Sequence, residues 1–323
     1  MPIQEIKRRI KTVSNIGQIT KAMEIVSATK MRRAQEVAVT ARPYSLQALR
    51  LLLELTHRTG YRPKLMTEGH QVNFQGESLN SKPKTAIVMI TSDKGLAGPF
   101  NSNVFRHFEK KIKPKLNNGE EYVFIAVGKK AEDYLLREGL EVIQAFKNFG
   151  DYATIESIKP LSNLLIEKFL SGQWSNILTI STYFRTTLRQ YVLIHKILPI
   201  KFRNVLEIIQ EMVPEYGRFS DLKDLEKEIL GSQAQFENYE YLVEPDPQTV
   251  LDELASRLVE IQIYAQILES NASEHSTRMI AMKNASDNTK EIKEKLTIEF
   301  NKFRQGNITR EISEIVSGAE SLN

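Results

Sequence analysis

The sequence predicts an α/β domain set between two long helices that pair antiparallel as a coiled coil. Three observations carry this. Apolar residues recur at every seventh position through residues 1–57 and again after Pro247. Between those segments, short apolar runs alternate with helical stretches, the pattern of a mostly parallel sheet covered by helices. A polar, turn-rich stretch at 58–82 separates the first helix from the sheet.

In the first helix, Ile6, Val13, Thr20, Ser27, Ala34, Ala41, Ala48 and Leu55 form one heptad row. Ile16, Met23, Val37, Tyr44 and Leu51 fill a second, interrupted by Arg9 and Lys30. Two rows offset by three and four make a coiled-coil seam. Its small central residues admit a close partner. Gly17 costs about 1 kcal/mol against Ala, and Pro43 removes one backbone bond and is expected to kink the helix.

The middle of the chain reads as strands and helices in turn. Thr85–Thr91 is a buried strand, followed by a glycine-containing turn and a helix from about Asn103. Tyr122–Val127 is a second strand, with Gly128 as the turn and Ala131–Arg137 as a helix. Leu140–Phe146 is a third strand. Residues 154–171 form a helix that holds Pro160 only with a kink. Ile177–Phe184 and Tyr191–Ile197 have the look of a hairpin. Residues 205–240 are acidic and weakly patterned, read as peripheral helix or mobile loop.

The last helix opens at Pro245-Asp246-Pro247, where Asp246 can cap the N-terminus and Pro247 suits the first helical position. Leu251, Leu258, Ala265, Ala272, Met279, Ser286 and Phe300 make one row. Leu254, Ile261, Leu268, His275, Met282, Thr289, Leu296 and Phe303 make the other. One helix leaves the central domain and one returns, so antiparallel pairing follows.

Composition excludes several classes. The chain has 323 residues, 41% hydrophobic and 26% charged, which fits a folded globular protein. It has no Cys, so disulfides, thiolate metal sites and thiol nucleophiles are ruled out. No apolar run approaches the ~18–20 residues that cross a bilayer. The N-terminus has the look of neither a signal nor a transit peptide, and a reducing, cytosolic compartment is expected. Charge is uneven. Residues 7–33 carry Lys7, Arg8, Arg9, Lys11, Lys21, Lys30, Arg32 and Arg33 against Glu24 alone, whereas 205–247 carry eleven Asp/Glu against Arg218, Lys223 and Lys227. The basic helix suggests an acidic partner.

Catalytic chemistry finds little footing. His57, His70, His107, His195 and His275 form no pair with metal-ligand spacing, and His275 in a helical row reads as structural. Gly128-Lys129-Lys130 lacks the flanking Gly and Ser/Thr of a phosphate loop, so a simple strand-to-helix turn is expected. Gly95 and Gly98 read the same way.

The terminal segments resemble one family. Ile19-Thr-Lys-Ala-Met-Glu-Ile-Val-Ser-Ala-Thr-Lys-Met-Arg-Arg-Ala-Gln35 is similar to the opening signature of the gamma subunit of F-type ATP synthase, with Ala41-Arg-Pro-Tyr44 following. Ala272-Ser-Glu-His-Ser-Thr-Arg-Met-Ile-Ala-Met-Lys-Asn-Ala-Ser-Asp-Asn288, Phe300-Asn-Lys-Phe-Arg-Gln305, Ile308-Thr-Arg-Glu311 and Ile315-Val-Ser-Gly-Ala-Glu320 resemble its closing segments. The family carries an Arg-Gly-Leu-Cys-Gly-Gly-like turn where this chain has Asp93-Lys-Gly-Leu-Ala-Gly-Pro99. Stretches near 60–82 and 205–240 look longer than the family needs.

The resemblance implies a small Rossmann-like α/β foot domain at 83–204 between coiled-coil helices at 1–57 and 246–323. Residues 58–82 are then a linker and 205–245 an acidic peripheral segment. It implies a central-stalk rotor that couples proton flow through a membrane ring to ATP synthesis or hydrolysis, and that regulates ATPase activity. Partners would be the alpha, beta and epsilon subunits and the c-ring, on the cytoplasmic face of a bacterial membrane. Met23, Lys30, Arg32 and Arg33 would lie near moving beta-subunit loops, and Arg278, Arg304, Gln305 and Thr309 would carry polar contacts to the catalytic ring. ATP, ADP and Mg²⁺ would belong to alpha and beta, leaving this chain without cofactor or catalytic residue. Heptads alone allow a stand-alone coiled-coil scaffold, and charge alone allows a nucleic-acid binder; the terminal motifs count against both.

Overall fold

Alternation along β1 (Lys84–Ile90) sends side chains to two faces of a sheet, and both faces are buried. Ala86, Val88 and Ile90 join one apolar cluster, Ile87 and Met89 the other. A strand covered on both sides reads as a continuous apolar run, which is why this one was legible. The computed structural model describes residues 3–67, 84–117, 121–150, 153–201 and 243–320. The acidic stretch 205–240 and residues 68–83 lie outside these, as do the side chains of residues 38–46, where Ala41, Pro43 and Tyr44 fall.

The other strands are β2 (Tyr122–Val127), β3 (Val142–Phe146), β4 (Trp174–Phe184) and β5 (Gln190–Leu198). They lie in the order β3-β2-β1-β4-β5. β1 pairs parallel with β2 and β4, β2 pairs parallel with β3, and β5 returns antiparallel on β4. The sheet is therefore mostly parallel with one hairpin, as the sequence predicts. One face is covered by α2 (Phe100–Lys111) and α4 (Lys129–Arg137) through Val104, Phe108, Ala131 and Leu135. A short helix, α3 (Lys113–Asn117), follows α2. The opposite face packs α5 (Ile155–Leu170), the end of α1 (Ile3–Thr59) and the start of α6 (Pro247–Glu320).

Local chemistry sets the boundaries. α5 starts at a capping box, with Thr154 and Ser157 each accepting from the other's backbone N–H. It runs unbroken through Pro160, which faces solvent. β3 begins two residues later than Leu140 because that residue closes α4. Gly139, at φ 72°, and Leu140 donate their N–H groups to Leu136 and Leu135 in a Schellman turn. α6 begins at Pro247, with Asp246 accepting from Thr249 N–H at 2.9 Å. That bond holds the Asp246 carboxyl below the ordinary aspartate range.

The first part of the expected linker is anchored. Tyr61 donates to Asp252 at 2.9 Å, and Lys64 N–H donates to its other carboxylate oxygen. Burial and that carboxylate push the Tyr61 phenol up. A single 3₁₀ turn at Lys64–Met66 buries Leu65, whose carbonyl accepts from Ile200 N–H. Residues 60–67 thus belong to the folded unit.

The chain divides into two compact units, Lys30–Thr277 and the pair Met1–Thr29 with Arg278–Asn323. The first holds the sheet and its covering helices.

Gly128 links β2 to α4 at φ 91°, and a Cβ there would lie 2.2 Å from the Thr91 carbonyl oxygen. Both the conformation and the space demand glycine. Gly128→Ala is expected to cost at least about 2 kcal/mol, seen as a lowered urea midpoint for the full chain.

Candidate functional site

The unit formed by Met1–Thr29 and Arg278–Asn323 is a pair of helices. Lys293 reaches Ser14 at 3.5 Å, and Gly17 lies against Thr289, so the numbers fall on α1 as they rise on α6. The pair is antiparallel. A Cβ on Gly17 would meet the Thr289 hydroxyl at 2.8 Å, so the helices approach closely there. Polar residues in this seam bond to their own helix. Thr20 donates to Gly17 carbonyl, Ser27 to Met23 carbonyl and Thr289 to Ser286 carbonyl.

One predicted row lies in this seam and the other does not. Ile6, Thr20 and Ser27 are buried and Val13 is half-buried. Ile16, by contrast, is 45% exposed. The inner second row is Ile3, Ile10, Gly17 and Glu24, offset by four rather than three from Ile6. Helix periodicity puts Ile16, Ile19, Met23 and Val26 on one outward stripe. Ile19 and Val26 are 59% and 52% exposed, and Met23 is half-buried at the stripe's margin. The inner row differs from the one the heptads predict because these outward residues are apolar too. Ahead of them on the helix, Lys7, Arg8, Arg9 and Lys11 are exposed; Arg9 pairs with Glu5, and Lys21 with Glu24.

On α6 the cover runs out. Carrying the register from Ser14 and Lys293 along two equal helical rises places Ile3 opposite about residue 304. Every residue from 301 to 317 is exposed. This corrects the expectation for Phe303, which is 39% exposed, level with the first turn of α1. Arg304, Gln305 and Thr309 lie in this stretch, Thr309 donating to the Gln305 carbonyl. Ile308, Ile312 and Ile315 share a face at 48%, 56% and 71% exposure.

Of the eight residues expected to meet partners, five lie on the helical pair and three in the other unit. Arg278 is 8% exposed and lies about 39 Å along α6 from Arg304. Lys30, Arg32 and Arg33 belong to the other unit, where Arg32 and Arg33 are exposed and Lys30 is half-buried. Met23 and the Arg304–Thr309 group stand on the helical pair. Sequence reasoning missed Ile19, Val26, Ile312 and Ile315 as surface candidates; an apolar residue off both heptad rows was the available signal.

The sheet unit has the strand order of a nucleotide-binding fold, and its crevice is filled from within. Asp93, just beyond β1, accepts from Lys129 N–H at 2.9 Å and from Asn148 N–H at 2.8 Å. A carboxylate therefore sits at the α4 N-terminus, where a phosphate would otherwise find backbone donors. Ser92 is held by Asn101 on α2 and by the Lys94 carbonyl. Lys147 pairs with Glu132 at 2.6 Å, which holds its ammonium above the usual lysine range. Gly128-Lys129-Lys130 is a strand-to-helix turn capped by the chain's own acid. Among the described residues, no helix is long and apolar enough to cross a membrane.

Comparison with known proteins places this geometry. A family model described as ATP synthase matches residues 2–322. The ATP synthase gamma chain of Roseiflexus sp. (strain RS-1) is 37% identical over 320 residues, covering 99% of this chain and 98% of that relative. The ATP synthase gamma chain of Herpetosiphon aurantiacus is 38% identical over 323 residues, with the same two coverages. Among solved structures, a chain of the Euglena gracilis mitochondrial ATP synthase, from a structure of its OSCP, F1 and c-ring, has the same fold. The TM-score is 0.60 at 16% identity, covering 99% of this chain and 94% of that one.

Removing the internal cap is a direct test of the crevice. Asp93→Ala strips two backbone N–H groups of their acceptor and is expected to cost about 1–3 kcal/mol. Asp93→Asn keeps one acceptor oxygen and is expected to cost less. Equilibrium denaturation of the two full-length variants ranks them.

Proposed function

This chain belongs to the ATP synthase gamma-chain family, and we propose that it is the central-stalk rotor of an F-type ATP synthase. In this reading its work is mechanical. A membrane c-ring driven by proton flow turns the α/β foot, with the epsilon subunit beside it, and the helical pair turns inside the catalytic head. Each angle of the asymmetric pair then favours a different conformation of each beta subunit through differential contact. ATP, ADP and Mg²⁺ sit on alpha and beta, and the chain is held at the cytoplasmic face of the membrane through its partners.

The observation that carries the reading is the bare end of α6. Ile308, Ile312 and Ile315 stand exposed on a helix with no covering partner of its own among the described residues. A helix with an exposed apolar stripe gains stability when another surface encloses it. Arg304, Gln305 and Thr309 supply polar groups beside that stripe. On α1, the stripe of Ile16, Ile19, Met23 and Val26 follows the exposed cations Lys7, Arg8, Arg9 and Lys11 along the helix, suiting a partner with acidic loops. The scaffold and nucleic-acid readings rest on heptads and charge alone.

Two measurements test it. The purified chain is expected to hydrolyse no Mg-ATP, and turnover that survives removal of alpha and beta would contradict the assignment of catalysis to those subunits. The second concerns coupling. Met23→Lys sets a cation at the margin of the outward stripe, beside the proposed acidic beta loop. An exposed ion pair is worth under about 1 kcal/mol, and a partly desolvated one more. Such an attraction deepens one rotary dwell, so ATP hydrolysis should persist while proton pumping per ATP falls. Met23→Leu preserves volume without charge and should be near neutral. Equal pumping in the two variants would mean that Met23 does not face that loop.

A further inference from the structure

The face of α6 that packs toward the sheet changes character along its length. Leu251, Ala255, Leu258 and Val259 are fully buried and apolar. From Gln262 the same face is polar. The turn of the helix, about 100° per residue, puts Gln262, Gln266, Glu269, Ser270, Ser273 and Ser276 within about 120° of arc. None is more than 6% exposed.

Contacts show where this face points. Glu269 accepts from the N–H of Phe184, the last residue of β4, and Ser276 donates to the Thr187 carbonyl in the β4–β5 turn. The facing side of β4 is polar as well. Thr179 and Ser181 alternate with Ile180 and so share the face of Ile177, which belongs to the cluster containing Leu258. Thr179 makes only a 3.5 Å bond to the His195 carbonyl across the hairpin.

Between these layers, polar groups lack partners. Both amide atoms of Gln262 and of Gln266, and the hydroxyls of Ser270 and Ser273, are buried without a hydrogen bond. Such groups are uncommon and each calls for a physical reason. The α1–α6 seam shows the alternative, since its Thr20, Ser27 and Thr289 bond back to their own helix. A glutamine amide is too long for that return.

We propose that this polar layer is a slip plane. The Gln262–Ser276 stretch of α6 and the β4–β5 hairpin re-register against each other by exchanging polar partners, while the Leu251–Val259 end stays fixed. Apolar packing resists such movement because interdigitated side chains must separate before they can shift. Unpaired amides lose no bond when they move, and neighbouring hydroxyls and carbonyls offer several acceptors of similar quality. The layer thus has low local stability by construction, within a unit whose apolar end does not.

Hydrogen exchange on the full-length chain, read by mass spectrometry, tests this. In Gln262→Leu/Gln266→Leu, amides of the β4–β5 hairpin and of residues 262–276 are expected to exchange at least about tenfold more slowly, since filling the layer with apolar side chains removes buried unpaired groups. Exchange near Leu258 should not change. Faster or equal exchange at the hairpin would overturn the proposal, because the amides would then be holding the layer together. Slowing spread evenly over the whole unit would overturn it too, as global stabilisation without a plane. Should the double variant fail to fold, Ser270→Ala/Ser273→Ala makes the same test with smaller side chains. Slower local exchange supports the plane, and equal or faster exchange overturns it.

Discussion

The hydroxyl of Thr289 lies 2.8 Å from where a Cβ on Gly17 would sit, and the helical pair depends on that close approach. Around Gly17 helices this near can bury only small side chains between them, so this part of the seam is built of Gly17, Thr20, Ser27 and Ser286 rather than leucines. Burying a large apolar side chain is worth about 1.5–3 kcal/mol, and a small one far less. The hydroxyls of Thr20, Ser27 and Thr289 bond to carbonyls of their own helix, which leaves the seam weakly driven. A narrow seam also covers little of each circumference. Most of α1 and α6 in this unit therefore faces outward, and isoleucines there wait for another surface. Stability of the pair and recognition of a partner are in this way opposite sides of one geometric choice.

That choice also limits what a sequence can disclose. The strands of the sheet were legible because β1 and β2 are apolar on both faces, a pattern that only double burial explains. The row through Ile6, Val13, Thr20 and Ser27 was legible because the seam uses it. The second row was not, because two candidate rows flank it and the outward one is the more apolar. Ile10 and Gly17 look weaker than Ile16 and Met23 until the register with Thr289 is known. Gly17 reads as a cost to the helix in isolation, and its benefit appears only with the partner helix in place. Of the residues expected to meet other chains, Arg304, Gln305 and Thr309 are on open surface while Arg278 is buried, a distinction no local pattern carries.

Asp93 was illegible for a different reason. Its two partners are the backbone N–H groups of Lys129 and Asn148, 36 and 55 residues away, and backbone donors leave no mark in a sequence. Once seen, it explains how a sheet with nucleotide-binding strand order need not bind a nucleotide. The donors that would cradle a phosphate are already satisfied, and a second anion there would face a fixed negative charge. The same carboxylate ties the turn after β1 to the ends of β2 and β3, so the fold gains rigidity at the place where related topologies keep a site open.

Polar residues at helix positions that face an interior therefore fall into two kinds here. Serines and threonines of the α1–α6 seam settle their hydroxyls on the preceding turn and behave as small apolar residues toward the neighbour. Gln262 and Gln266 have no such return, and their amides stay buried and unpaired. The first kind permits close approach with a single register, since nothing in the seam seeks another partner. The second permits several registers of nearly equal energy, since each arrangement satisfies some groups and strands others. Whether a buried polar group finds a carbonyl on its own helix, rather than polarity as such, separates the two behaviours, and α6 uses both within one uninterrupted helix.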